Sequence, residues 1–165
     1  MTHPAQLDVK KLQAACATRR QRRAGPGGQH RNKVETGVFI EHLPTGIRAE
    51  ATEKRSQQQN LDLAVFRLRV NLAIEYRVPA GDGPTELWHA RLRDGRISVS
   101  DQHQDFPALL AEALDVLKHY DWEVRQAAQH LGCSKSQLVK FLKQQPRALA
   151  QLNLQRERAG LGRLR

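Results

Sequence analysis

The sequence predicts an α+β fold, in which a long helix packs on a small sheet and an all-α bundle follows. Apolar and polar residues alternate over residues 37–42, a period that indicates a strand, and a Pro-Thr-Gly run at 44–46 offers a turn into a second strand over 47–51. Over residues 56–77 the apolar residues instead recur at helical spacing. One face of that helix can therefore cover one face of the hairpin.

A run rich in proline and glycine, residues 78–84, marks a change of composition and is typical of a linker. The sequence therefore predicts three parts. Residues 1–77 form the sheet-and-helix domain, residues 78–104 form a linker with a short hairpin around Asp94 and Gly95, and residues 105–165 form a helical domain.

The last part reads as a series of helices with recognisable ends. Asp105 and Asp121 are the predicted N-caps of its first two helices, and Gly132 is the predicted end of the second. Ser134 is the predicted N-cap of the third, and a fourth helix follows Pro146. This succession predicts a bundle with helix-turn-helix topology.

Composition restricts the class of partner. The chain of 165 residues carries 27 Lys and Arg against 17 Asp and Glu, a formal net charge of +10, which favours a polyanion and nucleic acid first. Aromatic residues make up only 5%, too few for a broad base-stacking platform. No apolar run approaches the roughly 20 residues that span a bilayer, so no membrane partner is expected.

The beginning of the chain shows no apolar secretory signal, so we expect a cytoplasmic protein. Cys16 and Cys133 match no metal-ligand spacing, and two free thiols in a reducing compartment are expected. The seven histidines show no ligand spacing either. We expect neither a metal nor a cofactor.

The most unusual stretch is residues 22–33, Arg-Arg-Ala-Gly-Pro-Gly-Gly-Gln-His-Arg-Asn-Lys. Its glycines exclude a helix and let backbone N–H groups approach an electrophile closely, and Gln29 adds a side-chain amide that both donates and accepts. Taken alone, a Gly-Gly-Gln tripeptide is most simply a flexible basic loop, and no nucleotide-binding fingerprint accompanies it. Contacts with RNA are predicted for its charged and polar residues: Arg22, Arg23, His30, Arg31, Asn32 and Lys33.

Three linked motifs change that interpretation. Gly-Pro-Gly-Gly-Gln-His-x-Asn at residues 25–32, His-Leu-Pro-Thr-Gly-Ile at 42–47 and Arg-Ser-Gln-x-x-Asn at 55–60 occur in order. Over residues 14–77 the chain resembles the catalytic (GGQ) domain of class I peptide-chain release factors and their codon-independent relatives that rescue stalled ribosomes. Pro26 resembles the rescue branch.

The resemblance implies that an exposed loop enters the peptidyl-transferase centre of the large ribosomal subunit. There the backbone N–H of Gln29 would stabilise the developing oxyanion and its side chain would help to place water, while Gly27 and Gly28 supply the backbone shape. The implied activity is ribosome-dependent hydrolysis of the peptidyl-tRNA ester. The expected partners are the ribosome, its RNA and peptidyl-tRNA, and the protein is expected to act as a monomer.

The sequence also differs from that of the family in ways that predict differences in function. Only about 20 residues precede the loop, so stop-codon recognition is not expected and the release activity is expected to be codon-independent. The stretch 18–23 is more basic and less strand-like than the family's usual approach to the loop, which leaves the pairing of a first strand open. The basic residues at the end of the chain are compatible with insertion into an empty mRNA channel or with helical packing.

Two further sets of residues have two interpretations each. Arg55 can contact RNA phosphate, or Arg55 and Asn60 brace the loop while Ser56 caps the long helix; for Ser56 and Asn60 the structural role is favoured. Residues 122–142 resemble Fis-type helix-turn-helix modules, whose second helix offers Lys135 and Lys140 to nucleic acid. The alternative function is thus a nucleic-acid-binding regulator, although ribosomal RNA or tRNA is favoured over DNA.

Overall fold

The structure, a computed structural model, describes residues 1–22 and 36–165. A short 3-10 helix (Pro4–Gln6) precedes five strands and seven α-helices in that part of the chain, as follows: α1 (Val9–Ala14), β1 (Cys16–Gln21), β2 (Gly37–His42), β3 (Ile47–Ala51), α2 (Gln57–Glu75), α3 (Glu86–Arg91), β4 (Leu92–Arg93), β5 (Arg96–Ile97), α4 (Phe106–His119), α5 (Val124–Leu131), α6 (Lys135–Lys143) and α7 (Pro146–Arg158). A small sheet combined with several helices agrees with the predicted α+β class.

The main sheet has the order β1-β2-β3 and is antiparallel throughout. The predicted hairpin is confirmed as β2–β3, with Gly46 at φ 71° in its turn. β1 pairs with β2 along its whole length, from Cys16 opposite His42 to Gln21 opposite Gly37. The basic stretch before the loop is therefore a strand, a pairing that the sequence left open.

The long helix α2 is confirmed, and Ser56 is its N-cap: the Ser56 Oγ accepts a hydrogen bond from the Gln59 N–H at 3.3 Å. α2 packs against β2 and β3 on one side and against α4 on another. Its buried residues accordingly include Ala64, Leu68 and Leu72 and extend well beyond a single stripe. A helix that packed only on the hairpin would bury one face. α2 buries more of its surface because it also packs against α4 of the helical part.

The N-terminal segment is held against α2 by polar contacts that the sequence did not predict. The Arg69 Nε and Nη2 donate to the carbonyl of Ala5 at 3.2 and 3.0 Å, and the Arg69 Nη1 donates to the carbonyl of Gln104 at 2.8 Å. His3 is fully buried, and its Nε2 lies 3.0 Å from the carbonyl of Tyr76. One arginine thus joins the start of the chain to the segment before α4.

The predicted short hairpin around Asp94 and Gly95 is confirmed as β4–β5. The helix just before it, α3, was not predicted. It buries Trp88 completely, and the Trp88 Nε1 donates to the carbonyl of Leu131 at 2.8 Å. The buried hydrophobic residues of the sheet, α2 and the helical part belong to one cluster. The division at residues 77 and 104 remains a prediction, and packed side chains run across both of these positions.

The predicted ends of the later helices hold in part. Gly132 ends α5 with φ 73°, and the Ser134 Oγ accepts from the Gln137 N–H at 3.2 Å, as predicted. Asp105 occupies the N-cap position of α4 without a side-chain cap bond, because its carboxylate accepts from Arg91 instead. Asp121 as an N-cap is wrong: it has φ 49°, and Glu123 precedes the first residue of α5.

Both cysteines carry free thiols, as predicted, and burial raises the pKa of each, for Cys133 to about 11. Among residues 1–22 and 36–165, no three His, Cys, Asp or Glu side chains group as metal ligands would. No helix in these same ranges is long and apolar enough to cross a membrane.

Candidate functional site

The segment that carries the Gly-Gly-Gln motif connects two paired strands. Gln21, the last residue of β1, lies opposite Gly37, the first residue of β2. The Gln21 Nε2 also donates to a carboxylate oxygen of Glu50 on β3 at 2.9 Å. The connection therefore leaves the sheet and re-enters it at the same end, between two fixed points.

The predicted catalytic residues Gly27, Gly28 and Gln29 lie outside the described residues, and so does the predicted exposed loop that holds them. The same is true of most of the predicted RNA-binding residues: Arg23, His30, Arg31, Asn32 and Lys33. Arg22, which directly follows β1, is described and exposed. The structure describes the elements to which this segment is attached, namely β1, β2 and the start of α2, which together are called the frame.

Asn60 is the central residue of that frame. Its side chain is fully buried in the first turn of α2, where its Nδ2 donates to the carbonyl of Thr36 at 2.8 Å and to the carbonyl of Lys54 at 2.9 Å. Its Oδ1 accepts from the Lys54 N–H at 2.9 Å. Three hydrogen bonds from one amide thus join α2, the turn after β3 and the residue where the connection returns to β2.

A second contact fixes the same turn from further along α2. The Arg67 guanidinium donates to Glu53 at 2.5 Å and to the carbonyl of Glu50 at 3.0 Å. The hydrogen bond from Arg67 lowers the pKa of Glu53 to about 2. Glu53 is therefore an ionised structural acceptor at neutral pH and is unsuited to donate a proton.

Arg55 lies in this turn with its side chain exposed, and it forms no hydrogen bond or ion pair with the part of the chain that the structure describes. Of the two interpretations of the Arg-Ser-Gln-x-x-Asn motif, the structural one holds for Ser56 and Asn60. Arg55 contributes no brace of this kind, so it remains a predicted RNA contact.

Two arginines of β1 add to the cationic surface beside the connection, and the sequence interpretation did not assign them. Arg19 and Arg20 are exposed, and the Arg19 guanidinium carbon lies 4.2 Å from the centre of the Phe39 ring. No local signal identifies them, because the sequence and the burial of β1 do not alternate and only its pairing with β2 makes it a strand.

Lys135 and Lys140 are not part of this site. Both are exposed residues of α6, which belongs to the helical part of the molecule, and both line a groove beside that helix. α5 and α6 are joined by a turn at residues 132–134, and the resemblance to Fis-type modules remains a prediction.

The described part of the site positions the loop and supplies charge. Asn60, Ser56 and Glu53 are each engaged in a structural hydrogen bond. Arg19, Arg20 and Arg22 are exposed beside the connection. These groups fix the end of the connection at Thr36 and place positive charge beside it.

Comparison with known proteins agrees with the resemblance. Peptide chain release factor 1 of Symbiobacterium thermophilum is 39% identical over 87 residues, which are 53% of this chain and 24% of the relative. Peptide chain release factor 1 of Acidiphilium cryptum is 47% identical over 86 residues, 52% of this chain and 24% of the relative. Chloroplastic peptide chain release factor PrfB1 of Arabidopsis thaliana is 40% identical over 81 residues, 44% of this chain and 18% of the relative.

The chain thus spans less than a quarter of the length of each of these relatives. The predicted resemblance to the release-factor catalytic domain is confirmed, while the alternative of a nucleic-acid-binding regulator gains no support. The RF-1 domain matches residues 6–102, more than half of the chain, and this match includes the sheet, α2 and the β4–β5 hairpin. The chain belongs to the RF-1 domain family.

Proposed function

We propose that this protein hydrolyses the ester that links a nascent peptide to tRNA on the ribosome, and that it does so without reading a stop codon. The residues assigned to the chemistry are Gly27, Gly28 and Gln29. The partners are peptidyl-tRNA and the RNA of the peptidyl-transferase centre.

The observation that carries the proposal is the anchoring of the two ends of the connection in which the motif lies. In the sequence the motif lies between β1 and β2, whose pairing extends to Gln21 and Gly37. Where the connection ends, the Asn60 side chain donates a hydrogen bond to the carbonyl of Thr36. A connection with both ends fixed loses less conformational entropy when it takes up one geometry in a larger assembly. Membership of the RF-1 domain family and similarity to peptide chain release factors support the reaction class.

The proposed step is attack of water on the ester carbonyl. The backbone N–H of Gln29 would donate to the oxygen that becomes negative, and the side-chain amide would orient the water. The carbonyl–oxygen bond to the ribose then breaks, which leaves a free peptide carboxylate and a tRNA hydroxyl. Proton transfer is assigned to the RNA and the water of the centre, since Arg67 lowers the pKa of Glu53 to about 2 and thus makes this carboxylate a weak base as well as an unsuitable proton donor.

Codon independence is supported by the sequence of the motif and by the charge around it. The Gly-Pro-Gly-Gly-Gln run resembles the rescue branch, and β1 carries exposed Arg19 and Arg20 that suit contacts with RNA phosphate, which are independent of base sequence.

A peptide-release assay on purified ribosomes tests the proposal. Peptidyl-tRNA is placed in the P site above a stop codon, a sense codon or a truncated mRNA, and the wild-type chain is compared with Gln29→Ala. We expect release in all three states, a clearly lower rate for Gln29→Ala, and no hydrolysis of free peptidyl-tRNA. Release that requires a stop codon contradicts codon independence, and equal rates for the two proteins contradict the assigned chemistry.

A further inference from the structure

Two grooves run along α6, at a distance in sequence from the Gly-Gly-Gln motif. One groove, of about 570 Å³, lies between the β4–β5 hairpin and α6, and the other, of about 600 Å³, lies between α6 and the end of the chain. Lys140 lines both of them. The cationic side chains that line the two grooves are defined here as the α6 face: Arg93, Arg96, Lys135, Lys140, Lys143 and Arg165.

The charges of the α6 face are available to a partner. All six side chains are exposed, and none forms an ion pair with any residue in the described ranges 1–22 and 36–165. Asp94, at the tip of the hairpin, is the acidic side chain that lines the grooves. Some arginines elsewhere are neutralised within the fold, as Arg77 is by Asp115 at 3.1 Å, whereas the α6 face gathers six cations that have no ion pair in the described ranges.

The end of the chain is fixed in place on one side of this face. The Asn153 Oδ1 accepts from the Leu164 N–H at 2.7 Å, and the Asn153 Nδ2 donates to the Leu164 carbonyl at 3.1 Å. The Arg156 Nε donates to the carbonyl of Gly162 at 2.8 Å. Asn153 and Arg156 are themselves buried, so the residues before Arg165 are anchored to α7 by groups with little freedom to move.

The hairpin on the other side is anchored as well. The Ser98 N–H donates to the carbonyl of Arg91 at 3.0 Å, and Trp88 on α3 reaches the carbonyl of Leu131 at the end of α5. Arg93 and Arg96 therefore stand on a short ribbon whose base is attached to the same bundle as α6. Because the backbone that carries these cations is anchored, the entropy lost on binding a row of phosphates is limited to the side chains themselves.

The lining identifies the kind of polyanion. The aromatic residue that lines the grooves, Phe141, is only 2% exposed, so it offers no ring on which an unpaired base can stack. Gln137, Gln144 and Ser98 add polar groups to the cations, which is a combination suited to phosphates and sugar hydroxyls. The backbone of a double helix fits such a surface better than splayed single-stranded bases.

We propose that the α6 face binds the phosphate backbone of double-helical RNA and thereby forms a second RNA contact besides the Gly-Gly-Gln segment. The choice of RNA over DNA rests on the proposed function, which places this chain among ribosomal RNA helices. The binding is independent of base sequence.

Binding of the full chain to a fluorescent RNA duplex of about 20 base pairs, followed by anisotropy across about 50 to 200 mM KCl, tests the proposal. The double variant Arg96→Gln/Lys140→Gln removes one cation from the hairpin and one from α6. We expect roughly ten-fold weaker binding and a plot of log affinity against log salt whose slope is shallower by between about 1 and 2, because two phosphate contacts are lost.

Lys10→Gln/Lys11→Gln is the matched control, since it removes the same charge from exposed positions on α1, which packs against β1. We expect wild-type affinity for this control. An equal loss in both double variants overturns the proposal, because net charge alone would then explain binding. Tighter binding to a DNA duplex of the same sequence, or to single-stranded RNA, overturns the assignment to double-helical RNA.

Asn153→Ala tests the contribution of the chain end without changing any charge. We expect weaker binding to the RNA duplex with an unchanged circular dichroism spectrum, because Arg165 is no longer held beside α6. Unchanged affinity overturns the assignment of Arg165 to the face. Peptide release by the wild-type chain is measured in parallel, so duplex binding combined with a lack of peptide release refutes the proposed function and leaves the α6 face standing.

Discussion

The Asn60 side-chain amide donates to the main-chain carbonyl of Thr36 at 2.8 Å, although the two residues are 24 positions apart. Thr36 is the residue at which the chain returns to the sheet after the Gly-Gly-Gln segment. The same amide group binds both main-chain groups of Lys54. A residue of the last of the three motifs thus makes a buried polar contact with the point at which the connection that carries the first motif returns to the sheet.

Replacing Asn60 with alanine should weaken both the fold and peptide release. Three hydrogen bonds are lost and buried main-chain groups remain unpaired, so we expect the free energy of unfolding in urea to fall by about 2–4 kcal/mol. We also expect a lower release rate on ribosomes at a temperature where the variant is fully folded, because one end of the connection is no longer fixed.

Asn71→Ala is the matched control on the same helix. The Asn71 Nδ2 also donates to a strand carbonyl, that of Arg48 at 2.7 Å, but this contact is exposed to solvent. We expect a loss of stability of at most about 1 kcal/mol and no change in release. Equal release rates for folded Asn60→Ala and Asn71→Ala would contradict a positioning role for Asn60.

A bulky residue at position 28 should be more damaging than the loss of the Gln29 side chain. Gly28→Trp alters the backbone and so removes the geometry of the N–H donor, a change that typically costs about 10²–10³ in rate. Gln29→Ala keeps that N–H and loses only the amide, so a smaller loss is expected. Single-turnover peptide release measures the order, and the reverse order would assign the main role to the side chain.

His3 should make the stability of the protein depend on pH. Burial lowers the pKa of His3 from 6.5 to about 4, while its Nδ1 accepts from the Ala5 N–H at 3.0 Å. As the pH falls, the unfolded chain takes up the proton before the folded protein does, which favours unfolding. The stabilisation is therefore complete above about pH 6.5 and is lost toward pH 4, by up to about 3 kcal/mol.

Urea denaturation of wild type and His3→Gln between pH 7 and pH 4.5 measures this effect as the difference between the two proteins. The comparison is needed because burial raises the pKa of Asp115 to about 6, which makes its own contribution run in the opposite direction. We expect the difference in unfolding free energy to shrink as the pH falls. A constant difference would show that His3 titrates alike in the folded and unfolded states.

Trp88 should be the critical side chain between the β4–β5 hairpin and the helical part. Trp88→Phe keeps an aromatic ring near Phe141, whose centre lies 5.9 Å away, but it removes the donor to the Leu131 carbonyl. We expect a loss of about 2 kcal/mol in unfolding free energy. Trp122→Phe, at a half-buried position, is the control and should cost at most about 1 kcal/mol.

The sequence predicted well those features that depend on neighbouring residues. Ser56 and Ser134 cap helices through an N–H three positions away, and Gly132 ends α5 because it tolerates a left-handed backbone. Asp105 and Asp121 show the limit of such signals. The Asp105 carboxylate accepts a hydrogen bond from Arg91 and does not cap α4. Asp121 lies in a turn with φ 49°, and α5 begins only at Val124.

Features that depend on distant partners were missed. Nothing local indicates that His3 reaches Tyr76, that Arg69 holds Ala5, or that Trp88 reaches Leu131. The strand β1 was left open because its arginines suggest a solvated segment, and only the pairing with β2 makes it a strand. For the candidate site, the three motifs in order predicted the family and the structural role of Asn60. The exposed arginines of β1 beside the connection could be identified only from the fold.

β1 has a consequence for the behaviour of the protein in solution. Within the part of the chain that the structure describes, it lies at an edge of the sheet, and its four central side chains are exposed. An edge strand has N–H and C=O groups that are not hydrogen-bonded within the sheet, and it tends to pair with an edge strand of another copy. Charged side chains on the strand oppose this pairing. We therefore expect Arg19 and Arg20 to oppose aggregation through repulsion between copies of the protein. Added salt should screen that repulsion and so increase aggregation.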